Sequence, residues 1–174
     1  VFAGLGGGTS NAFFLVKYFI KNKIDKKLLF ILEKKIGSDF KIFFYNQGFL
    51  KNLQSISGHK KKYKLYFLIV YPNLKSSTRY IYSKVKKFSP KIRYNFNTIR
   101  NKAKFIKLIQ GKNNDLQSIL EKKYPIIKKL IIDISGQKGC YFSRISGSGS
   151  VCYGLFKSEK TAKRALTKIK KKYP

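Results

Sequence analysis

Apolar residues recur along the chain with two different spacings, one typical of helices and one typical of strands. Recurrence at three and four residues predicts helices over 10–22, 26–36, 75–88, 102–109, 114–124, 126–135 and 158–172. Short apolar or alternating runs predict strands over 41–45, 64–72, 139–145 and 150–156, with one more strand inside the ambiguous stretch 49–63. The mixture predicts a chain of the α+β class.

The stretch 64–72 gives the clearest strand prediction, because it is continuously apolar and stops at Pro72. A continuous apolar run predicts burial on both faces. From there onward the order strand, helices, strand, strand, helix is typical of a ferredoxin-like sandwich, with helices on one side of an antiparallel sheet. The first sixty residues do not share this order. We therefore predict two domains, 1–60 and 61–174.

Single residues mark several of the predicted helix ends. Gly37 follows the helix 26–36 in the manner of a C-terminal glycine. Asn114 with Gln117 three residues later has the spacing of a capping box. Pro125 ends one predicted helix and begins the next, and Ser77 or Thr78 is the expected N-cap of the helix predicted within 75–88.

The formal charge of +32 has two explanations. A basic chain can bind nucleic acid through phosphate contacts. Yet only five of the 39 basic residues are arginine, on which sequence-specific binders depend, and the abundant residue types all have A/T-rich codons. The lysines are scattered and the aromatic residues fall on predicted core faces, so codon bias is the favoured explanation. The charge can still attract anionic small ligands.

Composition also limits where the protein is expected in the cell and which kinds of site it is expected to carry. No apolar stretch is long enough to span a bilayer, and no signal-peptide pattern opens the chain, so we predict a cytoplasmic protein. Two cysteines, Cys140 and Cys152, fit reduced thiols without a disulfide framework. No Cys/His cluster suggests zinc.

The segment "GLGGGTSNA", Gly4–Ala12, joins a glycine loop directly to the first predicted helix, 10–22, whose broad apolar face we expect to be buried. Glycines let the backbone approach an anion, and a helix start offers unpaired N–H groups and a partial positive charge. Thr9 or Ser10 is the expected N-cap, and both hydroxyls can reach a phosphate or a magnesium ion. The loop is not a Walker A motif, since no lysine follows the last glycine. The alternative is a tight turn before a buried apolar helix.

Acidic residues are rare, only seven in all, so each can be weighed. Asp39 follows Gly-Ser at a predicted helix end and precedes an apolar run. We expect it at the edge of the core, where a carboxylate can accept a proton from a substrate hydroxyl. An ordinary Asx turn is the alternative, and spacing alone does not decide. Glu33, Glu121 and Glu159 lie among lysines on predicted helices and are expected at the solvated surface.

The segment "SGSGS", Ser146–Ser150, occupies the turn of the predicted hairpin 139–156. It reads either as a flexible connection or as a second backbone-lined concavity that faces a ligand. His59 stands alone among lysines, so we interpret it as a solvated loop residue and not as a catalytic group.

Together these segments resemble, in order and spacing, the 4-diphosphocytidyl-2-C-methyl-D-erythritol kinases of the GHMP kinase superfamily. The resemblance rests on "AGLGGGTSNA", "GSD", "YPNLKSSTRYIY", "NNDLQ…YP" and "ISGSGSVCYGLF" and covers nearly the whole chain. It implies part of an N-terminal domain of the ribosomal protein S5 domain 2-like type, followed by a ferredoxin-like C-terminal domain. It also implies ATP-dependent phosphorylation of the substrate's 2-hydroxyl in the non-mevalonate route to isoprenoid precursors.

The resemblance assigns roles to residues. It makes Asp39 the catalytic base and implies ATP and Mg²⁺ as cofactors, with Ser10 touching the metal. It places the ATP phosphates on Val1, Phe2, Ala3, Gly4, Leu5, Gly6, Gly7, Gly8, Thr9 and Ser10. It places substrate contacts at Thr78, Ser146, Gly147, Ser148 and Gly149. The implied partner is a small molecule, a cytidine diphosphate-linked methylerythritol, with no specific nucleic acid and no membrane.

The sequence departs from this family at three places. Lys41 stands where the family has a proline, and "SISGHKKKYK" stands where a Gly-x-Gly-Glu-like turn is expected. The family's first strands, with a lysine, a Tyr-His pair and the adenine-gripping segment, do not precede residue 1. We therefore expect an N-terminally truncated fragment that is inactive alone. Another GHMP-superfamily kinase, or a basic nucleic-acid-binding module, is the alternative function.

Overall fold

The computed structural model describes residues 4–21, 24–45, 48–52, 55–58, 63–90 and 98–174. The chain divides into two units. We call residues 6–62 and 91–100 the N-terminal unit, and residues 1–5, 63–90 and 101–174 the C-terminal unit. Helices and antiparallel sheets occur in both, which confirms the α+β class. The prediction of domains 1–60 and 61–174 stays a prediction.

The N-terminal unit contains two helices, a 3₁₀ helix and a hairpin. Its elements are α1 Gly7–Ile20, α2 Lys26–Ile36, the 3₁₀ helix Ser38–Phe44, β1 Gly48–Asn52 and β2 Ser55–Gly58. The strands β1 and β2 pair antiparallel, and Gly37 ends α2 as predicted. The predicted strand 41–45 is wrong, because this apolar run forms the 3₁₀ helix.

A cluster of phenylalanine rings explains that 3₁₀ helix. Phe13 of α1 is buried and makes edge-to-face contacts with Phe40 and Phe44, whose ring centroids lie 5.6 and 4.8 Å away. The ring centroids of Phe40 and Phe44 lie 5.9 Å apart, whereas four residues along an extended strand would separate the two positions by about 13 Å.

The prediction that α1 buries a broad apolar face is wrong for the described residues. Phe14, Tyr18 and Phe19 are 61%, 77% and 75% exposed, and Leu15 is exposed as well. Only the Phe13 side of the helix packs on the phenylalanine cluster of the 3₁₀ helix. The expectation that aromatic residues fall on core faces is therefore also wrong here.

The C-terminal unit is built on a three-stranded antiparallel sheet of order β3-β5-β4. Its elements are β3 Tyr66–Val70, α3 Thr78–Ser83, α4 Lys102–Gln110, α5 Gln117–Lys123, α6 Pro125–Ser135, β4 Cys140–Ile145, β5 Cys152–Phe156 and α7 Glu159–Lys172. The hairpin β4–β5 and the helix that begins at Pro125 confirm the predictions for those segments.

One face of this sheet carries the core. Helix α6 packs on β4 and β5, and α7 packs on β3 and β5. The buried side chains are mainly aliphatic and come from the sheet and from α3, α5, α6 and α7; among them are Leu68, Ile81, Leu120, Ile127, Leu130, Ile134, Ile145, Cys152, Phe156 and Ala165.

The opposite face contradicts the prediction that residues 64–72 are buried on both sides. Phe67 and Ile69 of β3 are 47% and 54% exposed. Tyr153 lies between Phe67 and Phe142, with ring centroids 5.9 and 6.1 Å away. The continuous apolar run therefore forms an antiparallel strand with one buried and one open face.

Candidate functional site

Helix α1 begins at Gly7, three residues earlier than predicted. Gly6 is its N-cap, with φ +64°, and no side chain caps the helix. The expectation that Thr9 or Ser10 is the cap is wrong, because both lie inside the first turn, where the Ser10 N–H donates to the Gly6 carbonyl at 2.8 Å. Glycine is the residue that takes this left-handed conformation at least cost.

Among the described residues, the first turn of α1 therefore presents main-chain donors without an intrahelical acceptor. The N–H groups of the first helical residues have no intrahelical acceptor, and the N-cap has no side chain to accept from them. A Cβ added at Gly7 or Gly8 would meet nothing within 4 Å, so the space beside this turn is open. With the positive end of the helix dipole, this arrangement suits an anion.

Asp39 lies in the first turn of the 3₁₀ helix, in the same unit as α1. Its side chain is exposed, while the next residue, Phe40, is fully buried and anchors the segment. The 3₁₀ helix also reaches the glycine loop, since a Cβ at Gly6 would lie 3.5 Å from the Phe43 ring. Asp39 and the start of α1 are thus held by one cluster of aromatic side chains.

Lys41, which replaces the proline expected from the family, has a structural partner. Its Nζ lies 3.0 Å from Glu33 Oε1 of α2, and both side chains are largely buried. Among the described residues this ammonium is the one charge partner of that buried oxygen. The expectation that Glu33 belongs to the solvated surface is therefore wrong.

The turn Ser146–Ser150 belongs to the C-terminal unit, and its hydrogen bonds are made within the protein. Ser76 Oγ donates to the Ser148 carbonyl, and the Ser148 and Thr78 hydroxyls share a hydrogen bond, both at 2.8 Å. Ser150 Oγ donates to the Leu74 carbonyl. Ser148, Gly149 and Ser150 are buried. The interpretation of this turn as a flexible connection is therefore wrong.

Asn114 holds the other side of the same turn. Its Nδ2 donates to the Ile145 carbonyl at 3.2 Å and to the Gly147 carbonyl at 2.8 Å. The predicted capping box is wrong, because α5 begins at Gln117, and the Gln117 Oε1 instead accepts from the Ile145 N–H at 3.3 Å.

Gly4 docks on this turn. Ser146 Oγ donates to the Gly4 carbonyl at 2.6 Å, and a Cβ added at Gly4, which has φ +74°, would lie 2.1 Å from the Ser146 carbonyl oxygen. Only glycine permits this approach. The contact explains one glycine of the loop by packing and not by ligand binding.

Sequence reasoning named the turn but missed two side chains outside it that support it, Ser76 and Asn114. Both act through hydrogen bonds to residues more than thirty positions away, which local patterns do not encode. Of the other candidates, Thr78 is exposed at the start of α3, which Ser77 caps, and Leu5 is exposed. Val1, Phe2, Ala3 and His59 lie outside the described residues.

The thiols are unsuited to nucleophilic chemistry. Both cysteines are free, and burial raises the pKa of Cys140 to about 11 and that of Cys152 to about 12.

Within the described ranges no group of three His, Cys, Asp or Glu side chains could hold a metal ion. None of the helices described there is long and apolar enough to cross a membrane.

Comparison with known proteins gives consistent matches. Residues 93–174 match the family described as GHMP kinases C terminal. A 4-diphosphocytidyl-2-C-methyl-D-erythritol kinase of Pelagibacter ubique (strain HTCC1062) is 35% identical over 175 residues, which cover 98% of this chain and 61% of that protein. The kinase of the same name from Wolbachia sp. subsp. Drosophila simulans is 34% identical over 178 residues, covering 99% and 61%.

A solved structure agrees at the level of the fold. The crystal structure of a 4-(cytidine 5′-diphospho)-2C-methyl-D-erythritol kinase superposes with a TM-score of 0.64 at 22% identity and covers 97% of this chain and 63% of that one. The chain spans about three fifths of the length of the curated relatives that it matches.

Proposed function

We propose, on the premise that this chain is related to the GHMP kinases, that it supplies the phosphate-binding loop and the acceptor base of a small-molecule kinase. The substrate would be 4-diphosphocytidyl-2-C-methyl-D-erythritol, phosphorylated on its 2-hydroxyl by ATP, as the names of the relatives suggest. The observation that carries the proposal is the uncapped start of α1, with open space beside Gly7 and Gly8.

The residues present fit the phosphates of ATP. Unpaired N–H groups and the helix dipole at Gly7–Thr9 offer positive potential without a bulky side chain in the way. The Ser10 hydroxyl, in the same turn, would hold Mg²⁺, which neutralises charge on the transferred phosphoryl group when it is bound. These groups would bind and position the phosphates, because phosphoryl transfer requires little covalent chemistry from the protein.

Asp39 would orient the acceptor hydroxyl and take its proton. Its exposed position leaves the carboxylate open to a substrate, while the buried Phe40 fixes the turn that carries it. A positioned general base contributes typically about 10²–10⁴-fold to a rate. The exposed Thr78, hydrogen-bonded to Ser148, and the turn Ser146–Ser150 would contribute substrate contacts. Localisation in the cytoplasm belongs to the same proposal.

Binding of ATP to the chain tests the phosphate site directly. Gly8→Asp places a carboxylate in the open space beside the helix start, where acidic residues favour the helix, so the fold should survive while ATP affinity falls at least about 10-fold. Gly8→Asn is the matched neutral control, and its affinity for ATP should fall much less. Calorimetric titration with ATP measures both. Unchanged affinity in Gly8→Asp would overturn the phosphate assignment.

Phosphorylation of the substrate tests the base. The protein expressed from its complete coding frame should lose about 10²–10⁴-fold in kcat on Asp39→Asn, with ATP affinity retained. Asp25→Asn is the charge-matched control in the same unit, because Asp25 is the N-cap of α2 and asparagine caps equally well. Equal kcat for Asp39→Asn and Asp25→Asn would refute the assigned role.

A further inference from the structure

A hollow of about 590 Å³ in the C-terminal unit is surrounded by lysines. Lys84, Lys86 and Lys87 come from the segment that follows α3, and Lys122 and Lys123 come from the end of α5. We call it the lysine hollow. None of these residues takes part in the proposed phosphate loop or in the turn Ser146–Ser150.

The ring of Tyr80 gathers ammonium groups from both sides of the hollow. The Nζ of Lys123 lies 4.1 Å from the ring centroid and that of Lys84 lies 5.6 Å from it. Cation–π attraction of this kind holds the two charges near each other although they repel. Two of the five ammonium groups are thus drawn to the same ring.

The hollow contains little negative charge to balance these lysines. Among the described residues that line it, Asp115 is the acidic one, and its oxygens accept from the Ser89 N–H at 2.8 Å and from the Ser89 hydroxyl. These hydrogen bonds lower the pKa of Asp115, so it carries a single charge against five. In the described part of the chain, none of the five lysines forms an ion pair.

Lysine is enriched among the residues that line the hollow. Five of the ten described lining residues are lysine, against 34 of 174 residues in the chain. The hollow between β3 and α7 differs: its described lining is mainly apolar, and the lysine among those residues, Lys163, pairs with Glu159.

We propose that the lysine hollow binds a compact anion that carries two or more phosphate groups. Lysine ammoniums bind phosphate as point charges, and several converging on one concavity favour adjacent phosphates. The Tyr80 ring already carries ammoniums, so it orders the lysines and is not the stacking platform that a single-stranded nucleic acid uses.

Titration with tripolyphosphate at about 0.15 M salt tests the site, in a Gly8→Asp background that removes binding at α1. The variant Lys84→Gln, Lys122→Gln, Lys123→Gln should bind at least about 10-fold more weakly. The control Lys168→Gln, Lys170→Gln, Lys171→Gln removes the same charge from the exposed side of α7 and should change affinity less than about 2-fold. Equal losses in both, or no measurable binding by the parent, overturn the proposal.

Two further arms separate the lysine hollow from diffuse charge and from nucleic acid. Tyr80→Leu keeps the net charge but removes the ring, and should weaken tripolyphosphate binding several-fold. A short single-stranded RNA should not compete for the hollow as effectively as tripolyphosphate does. Competition by RNA at lower concentration, or full binding by Tyr80→Leu, contradicts the compact-anion site.

Discussion

Two glycines in the turn Ser146–Ser150 both have positive φ but different surroundings, which allows a paired test of the turn. Gly147 has φ +53° and Gly149 has φ +83°, so alanine is strained at either position by about 1–2 kcal/mol. At Gly147 the nearest atom to an added Cβ is the Gly4 carbonyl oxygen at 3.5 Å. At Gly149 the Cβ would lie 2.3 Å from Leu120 Cδ2.

The difference between the two sites can be turned into free energy. Leu120 is fully buried, so it cannot swing into solvent, and overpacking of a core typically costs about 1–3 kcal/mol. Gly149→Ala should therefore lower the free energy of unfolding of the C-terminal unit by about 2–5 kcal/mol. Gly147→Ala should lower it by about 1–2 kcal/mol, from backbone strain alone.

Urea titration followed by circular dichroism measures both variants. The chain has no tryptophan, and the buried Cys152 lies in the C-terminal unit, so its accessibility to a thiol reagent reports that unit specifically. Gly149→Ala combined with Leu120→Val should recover part of the loss, because the clash is between these two residues. Equal destabilisation by both glycine variants would refute the packing argument.

Three further predictions follow from individual contacts. Lys41→Met leaves the largely buried Glu33 without its partner and should lower the free energy of unfolding by about 1–3 kcal/mol in urea, with partial recovery when Glu33→Gln is added. Iodoacetamide at pH 8 should alkylate Cys140 at least about 100-fold more slowly than a free thiol, and Cys152 more slowly still, until urea exposes them, because burial raises both pKa values. Ser158→Ala removes the N-cap of α7 and should cost about 1 kcal/mol in thermal unfolding, while Ser158→Asp should not.

Helix ends with a local chemical cause could be predicted from the sequence. Gly37 ends α2, Pro125 begins α6, and Ser77 caps α3, each through a property of that residue alone. The hairpin β4–β5 could also be predicted from the sequence, since alternating apolar residues and a glycine-rich turn both indicate it.

Short apolar runs were the source of the errors. The run around Phe40–Phe44 is compatible with a strand or a helical turn, and contact with Phe13, nearly thirty residues away, decides for the 3₁₀ helix. The apolar run at 64–72 does not show which faces of the strand are buried, because burial depends on which elements cover the sheet. Only β3's inner face, at Leu68, meets a helix layer.

The same distinction applies to the candidate site. Residue types were enough to predict the glycine loop and the turn as candidate sites. They did not show which polar groups remain free of hydrogen bonds within the protein and can therefore bind a ligand. The hydroxyls of Ser146, Ser148 and Ser150 are all engaged inside the protein, and Gly147 is the exposed residue of the turn. A ligand that reaches this turn therefore meets main chain around Gly147 in preference to serine hydroxyls. We accordingly expect the predicted substrate contacts of the turn to be backbone contacts, with Thr78 as the nearest exposed side chain that is hydrogen-bonded to it.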